Sequence, residues 1–250
     1  MKLSSKLKKI AAFAAAAAMM LTFSSCGKNE GSSSEQTDSV DTSAAENAAE
    51  TAGAEILNFI PPAEGEKIAV ITVKDFGEIK IKLFPEAAQK GVENFVGLAE
   101  MNYYDELIFH RIIPHFMNQG GDPTGTGYSG SCIWGEKFDG GIPEGLYHFS
   151  GAVAYANSGS TSTNGSQFYI VNTGEGECTS DVSSYPQNVQ DMYLEKGGTP
   201  FLDGGYTVFG QVFEGMDVVR AMGQVETDEN DKPLSQVMME SVRIVEYTAE

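Results

Sequence analysis

Between residues 66 and 247 the sequence never sustains an apolar pattern for long. Short runs rich in β-branched and aromatic residues alternate with glycine-bearing turns: KIAVITV (67–73), GEIKIKLF (77–84), LIFHRII (107–113), GAVAYAN (151–157), SQFYIV (166–171), YTVFGQV (206–212) and MMESVRIVEY (238–247). Runs this short, bounded by turn residues, read as strands rather than helices. The intervening KDFG (74–77) signals a hairpin between the first two. Only two stretches carry a helical period. PEAAQKGVENFVGLAEM (85–101) opens on Pro85 at a helix-start position and repeats apolar residues at Val92, Phe95, Val96 and Ala99. GMDVVRAMG (215–223) is the second. Many short strands with two helices predict an all-β barrel or sandwich and exclude a parallel α/β sheet.

The chain of 250 residues is 41% hydrophobic, enough for a sizeable core, yet its two ends differ in charge. Four basic residues (Lys2, Lys6, Lys8, Lys9) precede Cys26, and from Cys26 onward 12 basic residues face 35 acidic ones. Such a field repels phosphate backbones, so no nucleic-acid partner is expected. The lysine-bearing start leads into an apolar run from Ile10 to Phe23, then SSCG, which reads as a signal peptide over 1–25. That run is shorter than the roughly 20 residues a membrane span needs. The segment resembles the lipobox of bacterial lipoproteins, with Phe23 where leucine is usual. The resemblance implies cleavage before Cys26, lipid on its thiol, and a membrane-anchored protein on the extracytoplasmic face of the cell; secretion without lipid is the alternative. From Cys26 to residue 55, Ser, Thr, Ala and Glu dominate and Val40 is the one large aliphatic residue, so the stretch reads as a disordered tether spanning roughly 30 Å. A folded domain is predicted over 56–250. Its Cys132 and Cys178 permit a bridge or two free thiols, and the sequence leaves both open.

Several chemical signatures fail on context. GTGYSG (125–130) satisfies G-x-G-x-x-G but follows a turn-rich stretch and opens no helix, so it does not read as a nucleotide loop. His110 and His115 stand five apart, which matches neither a helical zinc pair nor one face of a strand. With no C-x-x-C and no His/Cys cluster, neither a metal nor a cofactor is expected.

FHRIIPHFMNQGGD (109–122), WGEKF (134–138), AYANSG (154–159), TNGSQFYI (163–170) and FLDGGYTVFGQVFEGMDVV (201–219) remain, and together they resemble cyclophilin-type peptidyl-prolyl cis–trans isomerases over residues 66–246. The resemblance implies a closed eight-stranded antiparallel β-barrel capped by two α-helices. It places Arg111 on the family's catalytic arginine and Gln119 on the glutamine that hydrogen-bonds the arginine and the substrate. His110 falls on a site-lining position and is counted with the catalytic group. Phe116, Met117 and Leu202 match walls of a proline pocket. Ala156 and Asn157 match the segment that pairs with a bound peptide, and Gln167 a further polar contact. Tyr169, Phe201 and Tyr206 stand where the family pattern has Phe, Trp and His, keeping aromatic character around the pocket.

The implied function is acceleration of rotation about X-Pro bonds in exported proteins, with proline-containing peptide segments as partners, acting as a monomer. A non-catalytic proline-peptide-binding chaperone or scaffold on the same fold is the alternative. Retention of the arginine favours the enzyme. One region departs from the family: an insertion at about 172–199, in which SYPQNVQDMYLEKGG predicts a short helix ended by Gly197 and Gly198. It enters just before Phe201 and Leu202, so it is expected to rim the groove.

Overall fold

The computed structural model of this protein describes residues 53–178 and 180–249. The expected signal peptide, Cys26 and nearly all of the tether lie outside the described residues. β1 (Lys67–Val73) and β2 (Gly77–Leu83) form the hairpin that KDFG signals, with Val73 opposite Gly77. Asp75 turns the chain at φ +64°, a left-handed conformation that Asp tolerates better than bulkier residues. Alternation then sorts the side chains: Ile71, Ile79 and Ile81 are fully buried. Lys82, on the other face, is also buried, its ammonium held by the Pro61 carbonyl (3.0 Å) and Glu66 (3.3 Å).

The other strands are β3 (Arg111–Ile113), β4 (Met117–Gly120), β5 (Ala152–Tyr155), β6 (Phe168–Val171), β7 (Val208–Glu214) and β8 (Met239–Glu246). They join the hairpin in one eight-stranded sheet of order β3-β4-β6-β5-β7-β2-β1-β8, every pair antiparallel. β4 alone has no counterpart among the apolar runs, because Asn118, Gln119 and Gly120 carry no β-branched signal.

Of the expected closed barrel, the eight strands and their antiparallel pairing are present as a half-barrel. The sheet is open and curled, with β3 and β8 as its edges. β3 holds only three residues, too few to pair along β8. The chain just ahead of β3 meets the start of β8 and the residues before it instead: Phe109 N–H donates to the Val237 carbonyl (2.9 Å) and Met239 N–H to the Leu107 carbonyl (2.8 Å).

Three α-helices occur among the described residues, one more than the two capping helices: α1 (Gln89–Glu100), α2 (Gln187–Lys196) and α3 (Met216–Met222). The extra one, α2, is the short helix read in the insertion, and Gly197 at φ +79° ends it. α1 starts later than expected, because Pro85 heads a turn in which Ala88 N–H bonds back to the Phe84 carbonyl (2.8 Å). Its two glycines allow close packing. A Cβ at Gly91 would stand 3.2 Å from the Phe209 Cβ, and one at Gly97 only 2.9 Å from the Ile133 Cγ2.

The main core fills the space between the curled sheet and α1. Phe95 of α1 meets Phe168 edge-on (5.5 Å), and Tyr104 does the same from the loop after the helix (5.5 Å). Burying each such ring contributes roughly 1.5–3 kcal/mol. A second, smaller cluster of Phe149, Val182, Val189 and Tyr193 lies under α2, with Ala54 and Ile56 packed on it. The Asn188 amide fastens the latter segment by exchanging hydrogen bonds with the Ala54 N–H (3.1 Å) and carbonyl (2.6 Å). Cys132 lies in the main core and Cys178 against the second cluster; both are free thiols.

Candidate active site

Arg111 opens β3 directly opposite Gln119 of β4, so the two side chains share one face of the antiparallel pair. The expected hydrogen bond between them is replaced by others. Arg111 donates through Nε (3.3 Å) and a terminal nitrogen (3.2 Å) to one carboxylate oxygen of Asp231. Asp231 sits at φ +63° and its carbonyl accepts from Ile112 N–H (2.8 Å), which anchors it beside the β3 edge. Gln119 donates to Gln167 Oε1 (2.9 Å), and Gln167 in turn donates to the carbonyls of Gly127 (3.0 Å) and Ser129 (2.7 Å).

Around this pair lies a cavity of about 170 Å³ lined by Arg111, Phe116, Met117, Gln119, Ala156, Asn157, Tyr169, Leu202 and Tyr206. Residues 90 positions apart in sequence thus share one small volume, and all nine are residues that the sequence had singled out. Met117, Tyr169 and Leu202, all buried, form its floor. The Asn157 side chain donates to the Gly205 carbonyl (2.9 Å), tying the segment after β5 to the turn that carries Tyr206.

Tyr169, where the family pattern has Phe, brings a hydroxyl into a buried wall, and such a group needs a partner. His148 supplies it, Nε2 to hydroxyl at 2.9 Å. Asp203 fixes the imidazole from the other side, accepting from Nδ1 (2.6 Å) and from the His148 backbone N–H (2.9 Å). That arrangement leaves Nε2 as the acceptor and the tyrosine as donor. Burial pushes the Tyr169 hydroxyl well above its ordinary value, so it stays protonated. The other oxygen of Asp203 accepts from Tyr185 (2.9 Å) and from Tyr193 (2.5 Å), both in the insertion. His148, Asp203 and Asp231 were all missed from sequence. Asp203 stands in the FLDGG block without a role assigned to it, His148 and Asp231 stand outside every quoted block, and all three roles arise from contacts made across the fold.

Three expected site residues lie outside the cavity. His110 is 6% exposed and points away from it, because successive side chains of an extended segment face opposite ways. Neither of its ring nitrogens has a partner among the described residues, and burial pushes its imidazole below the ordinary histidine value, against the pull of Asp122. It is a neutral wall residue at neutral pH. Gln167 stands behind Gln119 as its orienting partner. Phe201 is 59% exposed and stacks at 5.5 Å on Phe116, on the far side of that ring.

The glycine-rich 125–130 loop also acquires an explanation. It wraps a carboxylate of this chain: Asp122 accepts from the N–H groups of Thr124 (2.8 Å), Gly127 (2.6 Å) and Ser129 (3.3 Å). Burial pushes the Asp122 carboxyl up, but these donors and the Thr124 hydroxyl outweigh it and hold it down to about 2.

Comparison with known proteins agrees with this geometry. The family profile described as cyclophilin type peptidyl-prolyl cis-trans isomerase/CLD matches residues 68–244. A Staphylococcus aureus protein named as a peptidyl-prolyl cis-trans isomerase is 43% identical over 187 residues, covering 73% of this chain and 94% of that one. A Streptococcus pyogenes protein named as a bifunctional phosphatase/peptidyl-prolyl cis-trans isomerase is 43% identical over 185 residues, 72% of this chain, which spans only 39% of that relative's length. Among solved structures, a Cryptosporidium parvum cyclophilin type peptidyl-prolyl cis-trans isomerase is similar at 30% identity and a TM-score of 0.59, covering 73% of this chain and 99% of that one. The same protein crystallised in the presence of the dipeptide Ala-Pro is similar with a TM-score of 0.58. With the profile spanning most of the chain and relatives above 40% identity, this chain belongs to the cyclophilin-type peptidyl-prolyl cis–trans isomerase family.

Proposed function

We propose that this protein accelerates cis–trans rotation about X-Pro bonds in exported proteins, with Arg111 as the group acting on the prolyl nitrogen. The observation that carries the reading is a guanidinium at the edge of a small cavity of about 170 Å³, walled on one side by Phe116, Met117, Tyr169 and Leu202. An X-Pro bond resists rotation because the nitrogen lone pair is shared with the carbonyl, giving a barrier of about 18–20 kcal/mol. Twisting breaks that sharing and returns the lone pair to nitrogen. A guanidinium N–H directed there hydrogen-bonds only the twisted state, so it lowers the barrier without tightening the ground state. Exclusion of water by the apolar walls strengthens that bond. Gln119, held by Gln167, orients the peptide carbonyl beside the arginine. A solved relative's exposure to Ala-Pro supports proline-containing peptides as the ligand class here.

The seat of action is the extracytoplasmic membrane face, with lipid on Cys26 and the 26–55 tether carrying the 56–250 domain; the sequence of residues 1–26 supports this. Backbone bonds between the segments ahead of β3 and β8 likewise support closure of the curled sheet into a barrel that stiffens the site.

The test is isomerisation of an X-Pro peptide by the chain and by Arg111→Ala. The expected outcome is a loss of roughly 10²–10³ in kcat/KM with peptide affinity little changed. Equal rates with affinity intact would assign the fold to a binding module instead.

A further inference from the structure

We infer that the insertion builds a second peptide subsite, contiguous with the proline cavity, that takes a large aromatic side chain flanking the proline. The inference rests on the isomerase reading for the position of the peptide, and on a separate set of residues for the subsite itself.

A cavity of about 550 Å³ opens between the β3–β4 turn and the two ends of the insertion. Phe116 belongs to both cavities, so they adjoin, and a residue flanking a proline ring in the first is within reach of the second. Phe201 forms the outer wall. Phe201 sits in a short 3-10 turn over Pro200–Leu202 and is 59% exposed, and its tilted contact with Phe116 at 5.5 Å leaves apolar surface uncovered. Aromatic side chains stack on such rings by offset or edge contacts.

The far side is supplied by the insertion. Gly176 and Gly198 line the cavity and carry no side chains to fill it. Thr173 and Thr199 also line it, each 3% exposed, and neither hydroxyl has a partner among the described residues. A buried hydroxyl without a partner is costly, and rotation of the threonine would offer it to an incoming polar tip such as a phenol. At the mouth, Glu177 pairs with His115 at 2.9 Å and accepts from Gly174 N–H, so the one carboxylate lining the cavity is fixed at its rim. It disfavours an acidic flanking residue.

The experiment uses the full chain and two peptide series in which the residue before, or after, proline is Gly, Leu, Phe, Tyr or Glu. Affinity and kcat/KM are measured for each. On one side of proline, Phe and Tyr are expected to bind about tenfold more tightly than Gly, with Glu weakest; on the other side the series is flat. Cys178 also lines this cavity, and Cys178→Trp, which adds an indole to that wall, is expected to reduce the aromatic preference below twofold while the Gly-flanked peptide is turned over as before. A flat series on both sides in the unaltered chain overturns the proposal without any variant, as does full preference in a folded Cys178→Trp. Because affinity is read separately from turnover, a chain that prefers aromatics but does not isomerise would sink the isomerase reading and leave the subsite standing.

Discussion

Arg111 is held by a counter-ion that can release it. The side chains of Arg111 and Asp231 are 43% and 40% exposed, and a pair so open to water contributes less than about 1 kcal/mol. Release of the guanidinium from Asp231 therefore costs little, as the role proposed for Arg111 requires. Asp231→Ala is expected to change stability by less than about 1 kcal/mol and kcat/KM by about fivefold or less, far below the loss in Arg111→Ala; denaturation and isomerisation kinetics check both. Asp122 behaves differently because its carboxylate is enclosed. Its folded value of about 2 lies below the ordinary 3.8, so its stabilisation is complete above roughly pH 4 and lost as pH falls toward 2. Urea unfolding should show about 2 kcal/mol disappearing across that window, and Asp122→Asn should be less stable at neutral pH by a similar amount with that acid step gone. Arg111 was legible because it stands in a run of recognisable neighbours. Asp231 was not, since 120 residues separate it from the group it holds.

At the scale of elements, the insertion is wired into the pocket wall. Tyr185 ahead of α2 and Tyr193 within it bond Asp203, Asp203 fixes His148, and His148 satisfies Tyr169 in the floor of the proline cavity. Asp203 also directly follows Leu202, another wall residue, so one carboxylate sets the position of two walls. Tyr193→Phe removes one donor from this enclosed carboxylate, and chemical denaturation is expected to show a loss of about 1–2 kcal/mol. Helix α2 itself was readable from Pro186, Gly197 and the residues between them. Its packing was not, because the helix is largely polar and its buried face consists of Val189 and Tyr193 alone. β4 escaped for the opposite reason: three of its four residues carry polar or minimal side chains, and its strand conformation comes from pairing with β3 and β6 on either side.

At the scale of the whole molecule, an acidic folded domain is set behind a basic, apolar start. If Cys26 carries lipid, a labelled fatty acid will be incorporated into the chain, and Cys26→Ala will move the protein from the membrane fraction to the soluble one with X-Pro isomerisation per molecule unchanged. Seven of the eight strands as runs along the chain, the hairpin, the sites of the helices and, through family resemblance, nine residues of one cavity were legible in the sequence alone. Those features depend on local signals: alternation, turn chemistry and runs of side chains whose character survives without knowledge of neighbours. Tertiary structure alone decided that the ladder stays open at β3 and β8, that Arg111 pairs with Asp231, that His110 faces away from the cavity, and that Asp203 links the insertion to the pocket. Each of these depends on which distant groups meet, and the sum of many weak contacts across the core fixes that, not any stretch of chain.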